Sequence, residues 1–319
     1  MKYYLGVDLG GTNIVAGVVD EKYNILVKES VKTNSNRPAA EVIADIIAVA
    51  KKAVESANLT MDQIENVGVG APGTANKDTG IIEYSNNLKW DEVPLKQMME
   101  DGLQKPVFVE NDANAAAFGE FLAGAGKDHN SLVAITLGTG VGGGVITDGK
   151  ILTGFSYAGA ELGHSVIVAH GRHCTCGRDG CLEAYVSATG LINATKEAMQ
   201  EDKQSAMWEI CDGNLENVNG KTAFDGMRKG DATAINVVDT FIDYLSIGIA
   251  NFINIFQPEI LCIGGGICKE GDTLIKPLTE KVIPQTYARK EENRTKIVVA
   301  KLGNDAGVIG AAMLGTEKR

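Results

Sequence analysis

The segment between residues 161 and 183 contains the densest group of potential metal ligands in the sequence. His164 is followed by Cys174, Cys176 and Cys181, and the cysteines form the pattern C-x-C-G-x-x-G-C. Three thiolates and one imidazole are the Cys3His ligand set that closes a structural zinc site. The residues between the cysteines are mainly polar, so they offer no hydrophobic core in which reduced, unliganded thiols would pack. We therefore predict that this segment binds Zn2+.

Four carboxylates stand beside this segment or at the ends of predicted strands. Glu161 and Glu183 flank the predicted zinc site. Asp8 ends the first predicted strand before a Gly-rich turn, where it could hold Mg2+ against nucleotide phosphates or simply form the turn. Asp112 follows another predicted strand, where it could act as a base or cap the next helix. Open α/β sheets bind ligands at the carboxyl ends of their strands, so the two aspartates together favour a kinase-like site.

Three Gly-rich turns follow predicted strands. Their sequences are Gly10-Gly11-Thr12-Asn13, Gly138-Thr139-Gly140 and Gly264-Gly265-Gly266. Such turns expose successive backbone N–H groups and let phosphate oxygens approach without a side chain in the way. Any one of them could instead contain glycine only because a tight hairpin requires it. Their recurrence at three strand ends favours phosphate binding.

Composition and charge exclude several classes of protein. The chain has 319 residues, 44% of them hydrophobic, and a formal net charge of -11, which argues against a nucleic-acid or anionic-membrane partner. The cysteines outside the zinc segment are scattered, which is typical of core thiols in a reducing compartment, so we predict a cytoplasmic protein. Residues 1–5 do not resemble a leader peptide. The apolar run Phe241–Phe256 is interrupted by polar residues and predicts a buried helix rather than a membrane span.

Hydrophobic periodicity predicts an alternation of strands and helices. The predicted strands are 3–7, 14–19, 25–30, 67–69, 106–110, 133–137, 145–147, 260–263 and 296–300. The predicted helices are a first helix opening at Pro38, then 94–102, 113–123, 183–200, 205–211, 232–256, 273–282 and 305–314. A polar segment over 70–90 is predicted to be a long loop.

The two halves of the sequence repeat one pattern. A shift of 128 positions aligns Leu9 with Leu137, Gly10 with Gly138, and Asp20 with Asp148. Two Gly-rich hairpins then occupy equivalent places, which indicates a duplicated unit, although a match of so few positions could also arise by chance. No change in composition marks a flexible linker, so we expect two halves packed around a cleft.

Taken together, these motifs resemble the ROK family (repressors, uncharacterised frames and sugar kinases) of the actin-like ATPase superfamily. The segments that carry the resemblance are Asp8–Thr12, Glu110–Asn114, Leu137–Gly144, Glu161–His164, Cys174–Glu183 and Gly264–Gly266. The resemblance implies a duplicated actin-like (ribonuclease H-like) ATPase fold with an interdomain cleft. It implies a smaller domain of residues 1–112 plus 304–319, and a larger domain of residues 113–303 that carries the zinc loop.

The resemblance also implies an activity, transfer of the ATP γ-phosphoryl group to the 6-hydroxyl of glucose, and a set of roles. Asp112 would be the base, Asp8 would act with Mg2+, the turns at Gly10–Asn13 and Gly138–Gly140 would hold phosphates, and Gly264–Gly266 would lie near adenine. The implied sugar contacts are Gly73, Asn86, Asn111, Asp112, Glu161, His164 and Glu183. The implied zinc ligands are His164, Cys174, Cys176 and Cys181.

Several alternatives remain open at this point. A kinase of the same family could act on N-acetylmannosamine, N-acetylglucosamine, fructose or allose. A sugar-responsive transcriptional repressor would need an added DNA-binding helix-turn-helix, and the acidic chain disfavours it. A chaperone or filament ATPase of the same superfamily would have no reason to carry the Cys-rich loop. Polyphosphate or ADP could replace ATP, and the family implies a homodimer or homotetramer.

Overall fold

The computed structural model describes residues 1–317, which form a mixed α/β structure. The strands are β1 Tyr3–Leu9, β2 Asn13–Asp20, β3 Ile25–Lys32, β4 Ile64–Ala71, β5 Thr74–Asn76, β6 Ile81–Ser85, β7 Trp90–Val93, β8 Val107–Asn111, β9 Leu132–Leu137, β10 Val141–Thr147, β11 Lys150–Ile151, β12 Ile260–Gly265 and β13 Lys296–Val299. The helices are α1 Ala39–Ser56, α2 Leu95–Leu103, α3 Asp112–Ala123, α4 Glu183–Val186, α5 Ala188–Glu201, α6 Met207–Ile210, α7 Thr222–Arg228, α8 Ala232–Phe256, α9 Asp272–Val282 and α10 Ala306–Met313.

The first sheet has the strand order β3-β2-β1-β4-β8. Strands β1, β2 and β3 form an antiparallel meander, while β4 runs parallel to β1 and β8 runs parallel to β4. Helix α1 buries Val42, Ile46 and Val49 from one face in the same hydrophobic cluster as Leu5 and Val7 of β1. The 3.6-residue apolar period of α1 therefore matches its role as a cover for the sheet.

The second sheet repeats the order of the first, as β11-β10-β9-β12-β13. Strand β9 takes the place of β1, β10 that of β2, β11 that of β3, β12 that of β4 and β13 that of β8. The last two strands run parallel, as their counterparts do. This identical order confirms the repeat that the sequence predicted.

The described chain divides into two compact units. One contains Met1–Leu132, Gly144–Ala160 and the segment from Ala300 onward, and the other contains Val133–Gly143 and Glu161–Val299. The domain boundaries that the resemblance implied, after residue 112 and after residue 303, stay a prediction.

Some predicted elements differ from the structure. The loop predicted over 70–90 is wrong in part, because β5, β6 and β7 form a small antiparallel sheet there. The helix predicted over 183–200 is broken at Ser187, whose extended backbone ends α4 and whose hydroxyl caps α5 by accepting from Gly190 N at 3.0 Å. Strand β10 begins at Val141, four residues before the predicted start. Helix α7 was not predicted at all.

Helix α8 corresponds in its bounds to the predicted apolar helix. Within residues 1–317 it alone is long and apolar enough to cross a membrane by length and composition, and half of its most apolar window is buried. It packs against α5, α7 and α9. The prediction of a buried helix is therefore confirmed.

Helix α10 packs unusually close to its neighbours. A Cβ atom built on Gly310 would lie 1.7 Å from the backbone oxygen of Ala115 in α3, and one on Gly68 in β4 would lie 1.7 Å from that of Ala311. Real Cβ atoms do not approach to this distance, so only glycine fits at either position. Backbone therefore meets backbone where α10 crosses α3 and β4.

Glu120 is a buried carboxylate that ties α3 to the segment leading into α10. Its side chain is 3% exposed. One oxygen accepts hydrogen bonds from Ala125 N at 2.8 Å and Lys301 N at 3.1 Å, and the other accepts from Leu302 N at 2.6 Å. Three backbone donors thus share one carboxylate, which joins positions about 180 residues apart in the chain.

Replacing Glu120 with glutamine should destabilise the fold. The amide group of glutamine would turn a donor toward at least one of the three N–H groups, and a buried N–H without an acceptor costs about 1–3 kcal/mol. The free energy of unfolding in urea measures the loss, with Glu55→Gln on the exposed face of α1 as the control. A decrease in unfolding free energy below about 0.5 kcal/mol, the usual range for surface substitutions, would contradict the stabilising role of the Glu120 hydrogen bonds.

Candidate active site and metal centre

The four predicted zinc ligands lie together. The ligand atoms of His164, Cys174, Cys176 and Cys181 are all within 4.8 Å of one another. The Cys176 and Cys181 sulfurs are 3.7 Å apart, and the Cys174 sulfur is 3.7 Å from His164 Nδ1. A tetrahedral site with Zn–S bonds of about 2.3 Å has edges of about 3.8 Å. The residues therefore fit Zn2+, with Nδ1 as the histidine ligand.

The backbone of the loop is shaped to bring these ligands together. Cys174 N donates to Arg178 O at 2.8 Å and Gly177 N donates to Cys174 O at 2.9 Å, which closes a tight turn. Gly177 and Gly180 have φ angles of 87° and 82°. Both lie in the left-handed region that glycine adopts without strain. The two glycines within the cysteine pattern thus serve the turn that the ligands need.

The thiols of this cluster differ in acidity. Burial raises the pKa of Cys174, and it raises the pKa of Cys181 to about 12. Burial also acts to raise the pKa of Cys176, but hydrogen bonds from Arg178 N–H and the neighbouring thiols outweigh it and lower that pKa. Metal ligation requires thiolates, so loading of this site must release protons and must weaken as the pH falls.

The three remaining cysteines are buried apart from this cluster, at Cys211, Cys262 and Cys268. They are unbridged, as predicted for core thiols. The prediction of core thiols is therefore confirmed for these three cysteines, while metal ligation by the other three stays a prediction.

Glu183 connects the predicted zinc loop to the second Gly-rich turn. One of its oxygens accepts from Val141 N at 2.8 Å, and a Cβ on Gly140 would meet that oxygen at 2.4 Å. Its other oxygen lies 3.6 Å from the Cys174 sulfur and 3.5 Å from the Thr175 hydroxyl. The contact with Val141 joins residues that are 42 positions apart, so no local sequence pattern predicts it.

Each of the first two Gly-rich turns is closed by a backbone hydrogen bond from its first glycine. Gly10 N donates to Asn13 O at 2.9 Å, and Gly138 N donates to Gly140 O at 3.0 Å. The carbonyl oxygens of Gly10 and Thr12 are held by Thr33, and those of Gly138 and Thr139 by the start of α5. Within the described chain, the N–H groups of Gly11, Thr12 and Thr139 donate to no protein acceptor.

The third Gly-rich turn lies beside the second. Gly265 ends β12 with a φ of 96°, and a Cβ there would meet Leu137 O at 2.2 Å. Leu137 directly precedes the turn at Gly138. The close approach requires glycine at this position, so two of the three predicted phosphate or nucleotide turns are neighbours in space.

Asp8 and Asp112 lie at the carboxyl ends of strands in the first sheet. Asp8 in β1 pairs with Gly70 in β4, and Gly70 pairs with Glu110 in β8, two residues before Asp112. Burial raises the pKa of Asp112. Burial raises the pKa of Asp8 to about 6, and the charge of Asp112 adds to the effect. The two carboxyl groups are thus close enough to influence each other.

Asn111, not Asp112, is the N-cap of α3. Its side-chain oxygen accepts from Ala113 N at 2.9 Å and Asn114 N at 3.1 Å. Its amide donates to Gly73 O at 3.0 Å. The alternative that Asp112 caps the helix is therefore wrong, because the N-cap lies one residue earlier, at Asn111. Asparagine is as good a cap as aspartate, so the sequence contained the signal.

The other predicted sugar contacts lie in exposed or tightly turned backbone. Gly73 has a φ of 106°, and a Cβ there would meet Tyr84 O at 2.1 Å. Asn86 is exposed in the turn after β6. Glu161 precedes the short 3-10 turn Leu162–His164, and its carbonyl accepts from His164 N at 3.0 Å. Their contact with a sugar stays a prediction.

Asp8→Asn should stabilise the ligand-free protein while removing its activity. Because the folded pKa of about 6 lies above the ordinary value of 3.8, ionisation of Asp8 opposes folding. This penalty is absent below the ordinary pKa and grows as the pH rises through the folded pKa. Two pKa units correspond to about 3 kcal/mol, an upper bound on the gain in unfolding free energy at about pH 7.5.

Urea unfolding at several pH values measures this gain. The exposed Asp91 in β7 provides the control, since Asp91→Asn should give no pH-dependent gain. The stabilisation by Asp8→Asn should shrink as the pH is lowered toward about 4. A gain of equal size at every pH would mean that burial of the charge is not its cause.

The two sheets of equal strand order, together with the candidate site residues at their strand ends, are typical of actin-like ATPases of the sugar-kinase type. The ROK family model matches residues 4–318, and the chain belongs to the ROK family. It is similar to the glucokinase of Thermotoga maritima, with 39% identity over 98% of this chain and 97% of that protein. The glucokinase of Halalkalibacterium halodurans is 38% identical over 98% of this chain and 94% of that protein.

Solved structures agree with this membership. The ROK family glucokinase from Streptomyces griseus, solved with glucose and AMPPNP, superimposes with a TM-score of 0.81 at 34% identity over 98% of both chains. The ROK hexokinase from Thermus thermophilus has a TM-score of 0.79 at 30% identity, covering 98% of this chain and 97% of that one. The predicted duplicated actin-like fold is confirmed.

Proposed function

We propose that this protein is an ATP-dependent glucokinase, which transfers the γ-phosphoryl group of ATP to the 6-hydroxyl of glucose. The observation that carries the proposal is its similarity, over nearly the full length, to glucokinases at 36–39% identity. The relative from Streptomyces griseus was solved with glucose and an ATP analogue. Those ligands correspond to the substrates of the proposed reaction, with AMPPNP in the place of ATP.

Asp112 is the proposed base. Burial raises the pKa of its carboxyl, and one oxygen accepts from Ala113 N at 2.9 Å, which orients the group. Phosphoryl transfer passes through a loose transition state, so a carboxylate that aligns the sugar hydroxyl and takes its proton late is sufficient. A carboxylate whose pKa is raised by burial accepts a proton more readily near neutral pH than an ordinary aspartate does.

The phosphate-binding groups are proposed to be backbone N–H groups. Within residues 1–317, the N–H groups of Gly11, Thr12 and Thr139 have no protein acceptor, and the carbonyl oxygens of Gly10, Thr12, Gly138 and Thr139 already accept hydrogen bonds. Asp8 fits a role with Mg2+, since its buried charge needs a counter-charge at neutral pH. Mg2+ bound with the nucleotide would neutralise phosphate charge.

Zinc is proposed to have a structural and positional role. With Nδ1 of His164 directed at the Cys174 sulfur, the Nε2 atom is left for another partner. Hydrogen bonding of Nε2 to a sugar hydroxyl would join metal binding to substrate recognition. The Glu161 and Glu183 carboxylates would accept hydrogen bonds from the remaining hydroxyls, and the Asn111 amide would also bond a hydroxyl, with Gly73 and Asn86 completing the set.

An assay with a panel of hexoses tests the proposal. Glucose, fructose, allose, N-acetylglucosamine and N-acetylmannosamine are each supplied with ATP and Mg2+, and kcat/KM is compared. Glucose should be the preferred substrate. A different preferred sugar would keep the kinase class and change the substrate, while phosphorylation of none would overturn the proposal.

The same assay decides the phosphoryl donor. An inorganic polyphosphate/ATP-glucomannokinase from Arthrobacter is 26% identical to this chain, with a TM-score of 0.62 over all of both chains. Replacing ATP by polyphosphate or ADP therefore belongs in the experiment, and we expect ATP to be preferred. The homodimer or homotetramer and the cytoplasmic location stay predictions.

A further inference from the structure

Glu110 is a buried acid that the proposed mechanism does not use. Its side chain is 2% exposed, at the end of β8. One oxygen, Oε1, accepts from Asn111 N at 2.9 Å and from Asn114 Nδ2 at 3.0 Å. A single carboxyl oxygen thus holds the residue that caps α3 and a side chain in the first turn of the same helix.

Within residues 1–317, the side-chain oxygen of Asn114 is a buried acceptor without a donor. Its side chain is 3% exposed, and within the described chain its Oδ1 atom has no hydrogen-bond partner. A buried carbonyl oxygen without a donor is unfavourable, and nearly all such atoms in folded proteins are satisfied. Turning the amide over does not help, because Oδ1 would then face Oε1, which is also an acceptor.

A proton on Glu110 resolves this conflict. A carboxylate only accepts hydrogen bonds, whereas a carboxylic acid has one O–H donor and keeps an acceptor oxygen. An acid and a primary amide can therefore pair at two points, each donating once and accepting once. Glu110 is already bonded to the Asn114 amide through one of these two contacts.

We infer that Glu110 is a neutral carboxylic acid whose O–H donates to Asn114 Oδ1, and that this pair positions the first turn of α3. Glu110 Oε1 accepts from the backbone N–H of Asn111. The Asn111 side chain in turn caps α3 and donates to Gly73 O. Asp112 lies within this turn, so the pair sets where the proposed base stands. Glu110 is a positioning residue, and that part of the inference rests on the proposed function.

The surroundings of Glu110 are compatible with a neutral group. Burial raises its pKa, and the hydrogen bonds from Asn114 and Asn111 act in the opposite direction. The charged groups that face it are Lys77, which favours the ionised form, and Glu317, which disfavours it. Lys77 Nζ lies 3.7 Å from a Glu317 oxygen, so these opposite charges largely offset each other.

Glutamine and alanine at position 110 separate the pair from a charged role. Glu110→Gln keeps an acceptor for Asn111 N–H and a donor for Asn114 Oδ1, whereas Glu110→Ala removes both. We expect the alanine variant to lose kcat on the order of 10- to 100-fold, as misplaced groups do, with a smaller change in KM. The glutamine variant should recover most of that loss, and its melting temperature should lie near that of the wild type.

Infrared difference spectroscopy detects the proton directly and needs no activity. The wild type minus Glu110→Gln spectrum at neutral pH should contain the C=O stretch of a protonated carboxylic acid. Glu120→Gln is the matched control, since Glu120 faces N–H donors and should contribute only a carboxylate band.

The infrared spectrum tests the protonation state of Glu110, and the kinetics of the two variants test its positioning role, so either part of the inference can be contradicted separately. Absence of the acid band would overturn the neutral pair, whatever the substrate of the enzyme. A glutamine variant as slow as the alanine variant would overturn positioning by the pair and would favour a role for negative charge. Failure of the proposed glucokinase reaction would leave the infrared result and the melting temperatures to decide the protonation state.

Discussion

An Asp112→Asn enzyme should turn over glucose about 100- to 10,000-fold more slowly than the wild type while still binding glucose. Asparagine keeps the size of the side chain and its hydrogen bond with Ala113 N, but it cannot accept the proton of the attacking hydroxyl. The loss corresponds to about 3–5.5 kcal/mol of transition-state stabilisation. Because the change removes an interaction made in the transition state, it should appear in kcat more than in KM.

Steady-state kinetics and calorimetric titration with glucose measure these two effects. Asp91→Asn in β7 is a suitable control, since that aspartate is exposed. A variant that kept more than about a tenth of wild-type turnover would show that Asp112 is not the base. Burial raises the pKa of Asp112, so the acid limb of the wild-type kcat profile should lie above the range of an ordinary aspartate.

Cys176→Ser should remove most of the bound zinc and weaken glucose binding while nucleotide binding is kept. The sulfur of Cys176 lies 3.7 Å from that of Cys181, and its loss leaves three ligands in a site that needs four. The loop that also holds His164 would lose its anchor. Losses of 10- to 100-fold are usual even when only the partners of metal ligands are changed, so a larger loss is expected here.

Elemental analysis and titration with glucose and with ATP analogue test this prediction. Cys211→Ser, a change at a buried cysteine outside the cluster, is the control and should keep its zinc. In the wild type, zinc content should fall as the pH is lowered, because protons compete for the thiolates. Full zinc content in the Cys176→Ser protein would rule this cysteine out as a ligand, and an equal loss of nucleotide affinity would contradict a local role.

The parts of the site that could be predicted are those encoded by neighbouring residues. The four predicted metal ligands lie within eighteen positions of one another, from His164 to Cys181, and the structure brings them together. The Gly-rich turns were visible for the same reason. The repeat of Gly10 and Asp20 at positions 138 and 148 predicted a duplicated unit, and the structure contains two sheets of equal strand order.

The parts that were missed depend on contacts between distant segments. Nothing near Glu120 indicates that it will bond the backbone at Lys301, and nothing near Glu183 points to Val141. The strands over residues 74–93 are short and rich in polar residues, so their period of two is hard to distinguish from a loop. The break at Ser187 is a local cap inside a helical pattern, which favours one continuous helix when it is read from the sequence.

The close packing of α10 has a consequence for anyone who engineers this protein. A Cβ on Gly6, Gly68 or Gly310 would meet a backbone atom at 2.0 Å or less. In a library of random variants, these positions would therefore tolerate as little change as the residues that touch substrate. Intolerance there would reflect steric exclusion between main chains, and a mutational map of activity would need a parallel map of protein abundance to tell the two causes apart.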